Sequence, residues 1–157
     1  MSDVLTHELL MGAALDEARR AREAGEVPIG AIVAIGGEIV GRGFNQPIAA
    51  GDPTAHAEIV AIREGARRAG NYRLSGATLY VTIEPCLMCV GAAVHARVGT
   101  IVYGAAEPKS GALVSTVRGG ELPGLNSRFN VVSGIREAEC RELVQGFFKE
   151  RRGSAGK

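Results

Sequence analysis

Apolar residues recur at helical spacing at Met11, Ala14, Leu15, Ala18 and Ala21, with Asp16, Arg19, Arg20 and Glu23 on the other faces. This pattern predicts an amphipathic helix that ends near Gly25. Two apolar runs, Ala31 to Ile35 and Ile39 to Gly43, flank Gly36-Gly37, the signal of two strands joined by a tight turn. Asn45 to Pro53 reads as a loop, and a helix is expected from about Ala55 to Arg68. Thr78 to Thr82 and Thr100 to Tyr103 read as strands. Between them a helix is expected to open at Pro85, with proline in its first turn, and to run to about Ala96. Pro108 to Asn130 is rich in Gly, Ser and Pro and carries no clear period, and Asn130 to Val132 is read as a fifth strand. Cys140, Leu143, Val144, Phe147 and Phe148 form the apolar stripe of a closing helix. A hairpin followed by strand–helix alternation predicts an α/β fold, a three-layer α/β/α sandwich with a mixed five-stranded sheet and helices on both faces. No internal repeat or linker divides the chain, so residues 1–152 are expected to form one domain and 153–157 a flexible tail.

Composition narrows the class. A chain of 157 residues, 46% hydrophobic and 22% charged, is ordinary for a globular protein. A domain of this size buries roughly 70% of its unfolded surface, so it needs no disulfide or metal merely to fold. The longest apolar run, Cys86 to Val94, falls far short of the ~20 residues that cross a bilayer. Asp3, His7 and Glu8 stand where a secretory leader would have a basic start and an apolar stretch. A cytoplasmic location with no membrane partner is the expectation. A net charge of +1 argues against a long non-specific contact with nucleic acid and leaves room for a small basic patch. Three cysteines suit no closed disulfide framework. In a reducing compartment, Cys86 and Cys89 as a Cys-x-x-Cys pair point to metal or redox chemistry.

The candidate chemistry sits in two segments, Pro53-Thr54-Ala55-His56-Ala57-Glu58 and Glu84-Pro85-Cys86-Leu87-Met88-Cys89, each expected at a helix N-terminus. Cys86 and Cys89 are one turn apart, so their sulfurs can share a face. The positive end of the helix favours the thiolates a metal requires. With His56 they supply three ligands and leave a fourth tetrahedral position open, the pattern of a catalytic zinc. Two thiolates and a neutral imidazole cancel the charge of Zn²⁺, so a base beside the site is needed to help deprotonate water. Glu58 suits that task. Residues two positions apart on a helix point to nearly opposite sides, so His56 and Glu58 reach one metal only if it lies over the helix end. Taken alone, Cys-x-x-Cys also fits structural zinc or thioredoxin-type redox chemistry. Against structural zinc, no fourth ligand is evident: Cys140 lies on an apolar stripe, and His95 suits the C-terminal end of its helix.

His-x-Glu followed by Pro-Cys-x-x-Cys is the signature of the zinc nucleobase deaminases. The likeness extends to Asn45-Gln46-Pro47-Ile48, Asp52 to Glu58, Asn71-Tyr72-Arg73-Leu74, Leu79-Tyr80-Val81-Thr82, Gly104-Ala105, Lys109-Ser110-Gly111-Ala112 and the Phe147-Phe148…Arg151-Arg152 ending. From Leu9 to Arg152 the chain resembles the bacterial tRNA adenosine deaminase family, with its cytidine deaminase-like fold. The resemblance implies conversion of adenosine to inosine at the wobble position of tRNA, chiefly arginine tRNA. It implies one zinc per chain on His56, Cys86 and Cys89, with Glu58 as proton shuttle and no organic cofactor. It also implies a tRNA anticodon stem-loop as partner and a homodimer. Asn45 matches the residue that hydrogen-bonds the purine, Ile29 a pocket wall, and the backbone around Ala57 and Cys86 the groups that hold the base. Glu107 stands where the family carries aspartate near the RNA sugar. Lys109, Arg128, Lys149, Arg151 and Arg152 are candidates for phosphate contact. Two rival readings stand beside this one: a deaminase of free guanine or cytosine, and a zinc-stabilised binding module without catalysis. Glu58 argues against the second, because a structural site needs no carboxylate there.

Overall fold

The computed structural model describes residues 3–155. Helix α1 (Asp3–Glu23) leads into strands β1 (Gly30–Ile35) and β2 (Glu38–Phe44), then a short helix α2 (Pro47–Ala50) and helix α3 (Ala57–Ala69). Strand β3 (Thr78–Ile83), helix α4 (Leu87–His95), strand β4 (Thr100–Ala105), strand β5 (Asn130–Val132) and helix α5 (Glu137–Ala155) follow. The sheet order is β2-β1-β3-β4-β5. β1 pairs antiparallel with both neighbours, and β3–β4 and β4–β5 are parallel, so the sheet is mixed as expected. Gly36 and Gly37 both have positive φ (58° and 82°), which closes the hairpin in the turn that suits twisted strands.

Alternate residues of each strand serve opposite layers. Ala31, Val33, Leu79, Val81, Ile101 and Tyr103 pack with Ala57 and Ala61 of α3 and Val90 and Ala93 of α4. Ile32, Ala34, Tyr80 and Val102 pack with Met11, Ala14 and Leu15 of α1 and with Cys140 of α5. The result is the α/β/α sandwich. Met11, Ala14, Leu15, Ala18 and Ala21, the stripe read from the pattern, are all fully buried, and Cys140 is a core residue.

Four features depart from the expectations. The loop read across Asn45 to Pro53 contains α2, with Pro47 in its first turn. Helix α3 starts at Ala57, two residues later than expected, and His56 is its N-cap in extended conformation. Pro85 lies before α4, and Cys86 is the N-cap. The tail expected from Gly153 onward is helical to Ala155, while Gly156 and Lys157 lie outside the described residues.

Gly43 sets how closely α3 lies on the sheet. A Cβ built there would stand 2.4 Å from the Ala57 carbonyl oxygen and 2.6 Å from the Ala61 nitrogen, both backbone atoms that cannot swing aside. Gly43→Ala is therefore expected to push out the first turn of α3 and to lower stability by about 1–3 kcal/mol. A lower denaturant midpoint at unchanged m-value is the readout. An unchanged midpoint would mean that α3 can shift without loss.

Candidate active site

The carboxyl ends of β2, β3 and β4 and the amino end of β1 lie on one edge of the sheet, as the strand registers require. This is the edge where open α/β sheets place ligands. The N-termini of α3 and α4 meet there. His56 and Cys86, as N-cap residues with extended backbone, make no side-chain cap hydrogen bond and turn their side chains toward each other. His56 Nδ1 lies 3.6 Å from Cys86 Sγ and 3.6 Å from Cys89 Sγ. One ligand atom from each of His56, Cys86 and Cys89 falls within 4.8 Å of the others.

These positions fit zinc. Tetrahedral zinc with Zn–S of about 2.3 Å and Zn–N of about 2.05 Å places nitrogen and sulfur about 3.5 Å apart. The electrostatics fit as well. Cys86 is lowered to about 4, first by its hydrogen bond with Cys89 and then by His56. Cys89 is pushed up by the same hydrogen bond and by burial, so of the two sulfurs Cys86 is the one whose thiolate is favoured. His56 is raised, chiefly by the hydrogen bond to Cys86. Glu58, in the first turn of α3, is 4% exposed, and burial raises its carboxyl. A hydrogen bond to its own backbone N–H, the charge of His56 and a hydrogen bond with Cys89 act in the opposite sense.

A cavity of about 160 Å³ opens onto this group, lined by Val27, Ile29, Asn45, His56, Glu58, Ile83, Glu84, Cys86, Glu107 and Ser110. It is smaller than the ~300–1,000 Å³ of drug-sized sites, on the scale of a single flat ring system. Ile29, Asn45 and Glu107 thus stand in the wall. Ala57 is fully buried beneath the site, and Lys109 is exposed on the outer side of the loop, its backbone N–H donating to Glu107 Oε1 at 2.9 Å. Of the candidate phosphate cations, two have internal partners. Arg128 donates to the Gly120 and Leu122 carbonyls at 3.0 Å each, and Arg151 stacks 4.6 Å over Phe147 and donates to the Gly25 carbonyl at 2.6 Å.

Sequence reasoning missed two buried glutamates that hold the cavity walls. Glu26 accepts from the Ile48 and Ala49 N–H groups at 3.2 and 2.7 Å and so anchors α2 beside Asn45. Burial would raise Glu84, but hydrogen bonds from Ser115, Val114 and Glu107 outweigh it and hold the carboxyl below its usual range. The one signal for Glu84 was its place immediately before Pro85-Cys86.

Residues 5–105 match the cytidine and deoxycytidylate deaminase zinc-binding region. The chain is 45% identical over 145 residues to a tRNA-specific adenosine deaminase of Bacillus subtilis, covering 92% of this chain and 90% of that one. It is 43% identical over 146 residues to a tRNA-specific adenosine deaminase of Haemophilus influenzae, covering 92% and 84%. A solved tRNA:A34 deaminase, from a study of A-to-I editing at the wobble position of transfer RNA, superposes with a TM-score of 0.83 at 45% identity. It covers 85% of this chain and 97% of that one. Kinship over nine-tenths of its length, together with a zinc-binding region that includes every ligand candidate, means that the chain belongs to the tRNA-specific adenosine deaminases of the cytidine and deoxycytidylate deaminase family.

Proposed function

We propose that the protein hydrolyses adenosine to inosine at the wobble position of a tRNA anticodon, chiefly in arginine tRNA, and releases ammonia. The observation that carries this reading is the convergence of His56 Nδ1, the two cysteine sulfurs and the buried Glu58 on a base-sized cavity walled by Asn45. His56, Cys86 and Cys89 would hold zinc, which would supply Lewis acidity at the cavity floor. Glu58 takes a proton from the water that attacks C6 of adenine and returns it to the departing amine. Burial raises that carboxyl above its ordinary range, the direction that suits a group which must first take a proton and then return it. The Asn45 amide offers a donor and an acceptor to the purine edge, while Ile29 packs against its face. Ala57 acts through its backbone, and Lys109 and Glu107 meet the RNA outside the reacting base. An anticodon loop is already single-stranded, so turning out the target nucleotide costs little.

The same reading includes a cytoplasmic location and a homodimer. Leu87 and Met88 of α4 are exposed beside the site, and the α4 surface at Gly91 is open. Val114 and Val117 are exposed apolar residues as well. No helix is long and apolar enough to cross a membrane among the described residues.

Three outcomes are expected. Glu58→Ala retains zinc and loses about a hundredfold to ten-thousandfold in turnover, while Cys86→Ser loses zinc; elemental analysis and inosine formation on the same samples decide both. Wild-type protein forms inosine in an arginine-tRNA anticodon stem-loop and leaves free adenosine, guanine and cytidine nearly untouched. Faster ammonia release from guanine or cytidine than from the stem-loop would favour the small-molecule deaminase. Sedimentation at micromolar concentration gives a dimer that Met88→Asp dissociates, and a monomeric wild type would remove the homodimer from the proposal.

A further inference from the structure

Glu84 is 3% exposed and is not among the three ligands of the metal group. Its Oε1 accepts from the Glu107 N–H at 3.1 Å and from the Ser115 hydroxyl. Its Oε2 accepts from the N–H groups of Leu113, Val114 and Ser115 at 3.0, 2.9 and 3.0 Å. These donors lie at the two ends of the segment 107–115. Between them the chain crosses the carboxylate at Gly111, where a Cβ would stand 2.4 Å from Glu84 Cδ and 2.5 Å from Oε1. This segment puts Glu107 and Ser110 into the cavity wall and Lys109 on its outer side. Its other ties nearby include the Gly111 N–H to the Glu107 carbonyl and the Ala112 N–H to the Pro85 carbonyl, at 2.8 Å each, the Gly119 N–H to the Ala112 carbonyl at 2.7 Å, and the Thr116 N–H and hydroxyl to the Gly111 carbonyl at 2.9 and 2.7 Å. A buried anion thus gathers both ends of a glycine-containing loop while its own main chain is fixed to the sheet by the Glu84 N–H donating to the Ala105 carbonyl at 2.8 Å.

We infer that Glu84 is a positioning residue, whose carboxylate folds the 107–115 loop against the cavity and thereby sets how the RNA around the reacting base is held. This inference rests on the tRNA reading above. Glu84 borders the cavity, but both its carboxylate oxygens are engaged by loop donors, so it acts through Glu107 and its neighbours. A side-chain amide of the same shape carries only one acceptor oxygen, so it cannot receive both sets of donors.

The test uses Glu84→Gln and, from the loop side, Gly111→Ala. Both are expected to keep wild-type zinc content. Both should raise KM for the arginine-tRNA anticodon stem-loop about tenfold while changing kcat by less than about twofold, the signature of lost uniform binding. Glu107→Ala should lose most of its effect in the Glu84→Gln background, because the loop no longer holds that side chain in place. Hydrogen exchange supplies a readout that needs no activity. The amides of Glu107, Leu113, Val114 and Ser115 should exchange at least about tenfold faster in both variants, with those of α3 and β3 unchanged. Loss of folded enzyme would instead lower kcat at constant KM, and that result, or unchanged loop exchange, overturns the inference. If wild-type protein forms no inosine, the tRNA reading fails, and the exchange data alone decide whether Glu84 holds the loop.

Discussion

The site depends on two helix N-termini meeting at one edge of the sheet with metal ligands in the cap positions. An N-cap side chain projects over the helix end instead of along its flank. That is why His56 and Cys86, from separate helices, can both face Cys89. The arrangement breaks a local rule, since serine, threonine or aspartate at these two positions would bond the first-turn amides and stabilise each helix by about 1 kcal/mol. Histidine and cysteine forgo that bond. The partial positive charge of the open helix ends then favours the thiolate at Cys86. Close approach of α3 at Gly43 and the β3–α4–β4 crossover hold the two ends together.

Around this rigid centre the cavity walls rest on buried carboxylates. Burying a charge is costly unless it is hydrogen-bonded, and both wall glutamates meet that condition with backbone donors. Glu26 anchors α2 next to Asn45, and Glu84 gathers the segment that carries Glu107 and Ser110. Among the described residues no buried side-chain nitrogen or oxygen lacks a partner. The polar interior at this edge is therefore a satisfied network and holds its loops in one arrangement.

The parts of the fold that could be read from the sequence are those made by periodicity. The buried stripe of α1 and the Gly36-Gly37 hairpin follow directly from apolar spacing and turn chemistry. The ligand trio was readable because metal chemistry restricts residue type and spacing so severely. The signal fails where long-range bonds decide. Helix α2 spans four residues, too few to show a period, and is held by a glutamate some twenty positions earlier. The last turn of α5 contains Gly153, a poor helix former, yet it continues the helix beyond Arg152. Arg128 and Arg151 looked like free surface cations because a carbonyl partner leaves no mark in a local sequence. Glu84 is the clearest case, since its donors are mostly backbone amides, which every residue but proline possesses.

That mode of anchoring also explains how recognition and reaction can be separated on one sheet edge. A loop pinned by apolar side chains must spend those side chains in the core. A loop pinned through its amides keeps them. Over 107–115 only Ala112 and Leu113 reach the core as apolar side chains, while Lys109 and Ser110 remain exposed and Ser110 lines the cavity. The backbone of the segment is thus fixed to β3 through Glu84, and its outward side chains are left available for contact with a substrate. The metal ligands and Glu58 sit instead on helix ends whose positions the sheet determines. Changes in the loop's outward residues can therefore alter what is held at the mouth without moving the atoms that react, which is the physical basis for grafting different specificities on a common centre.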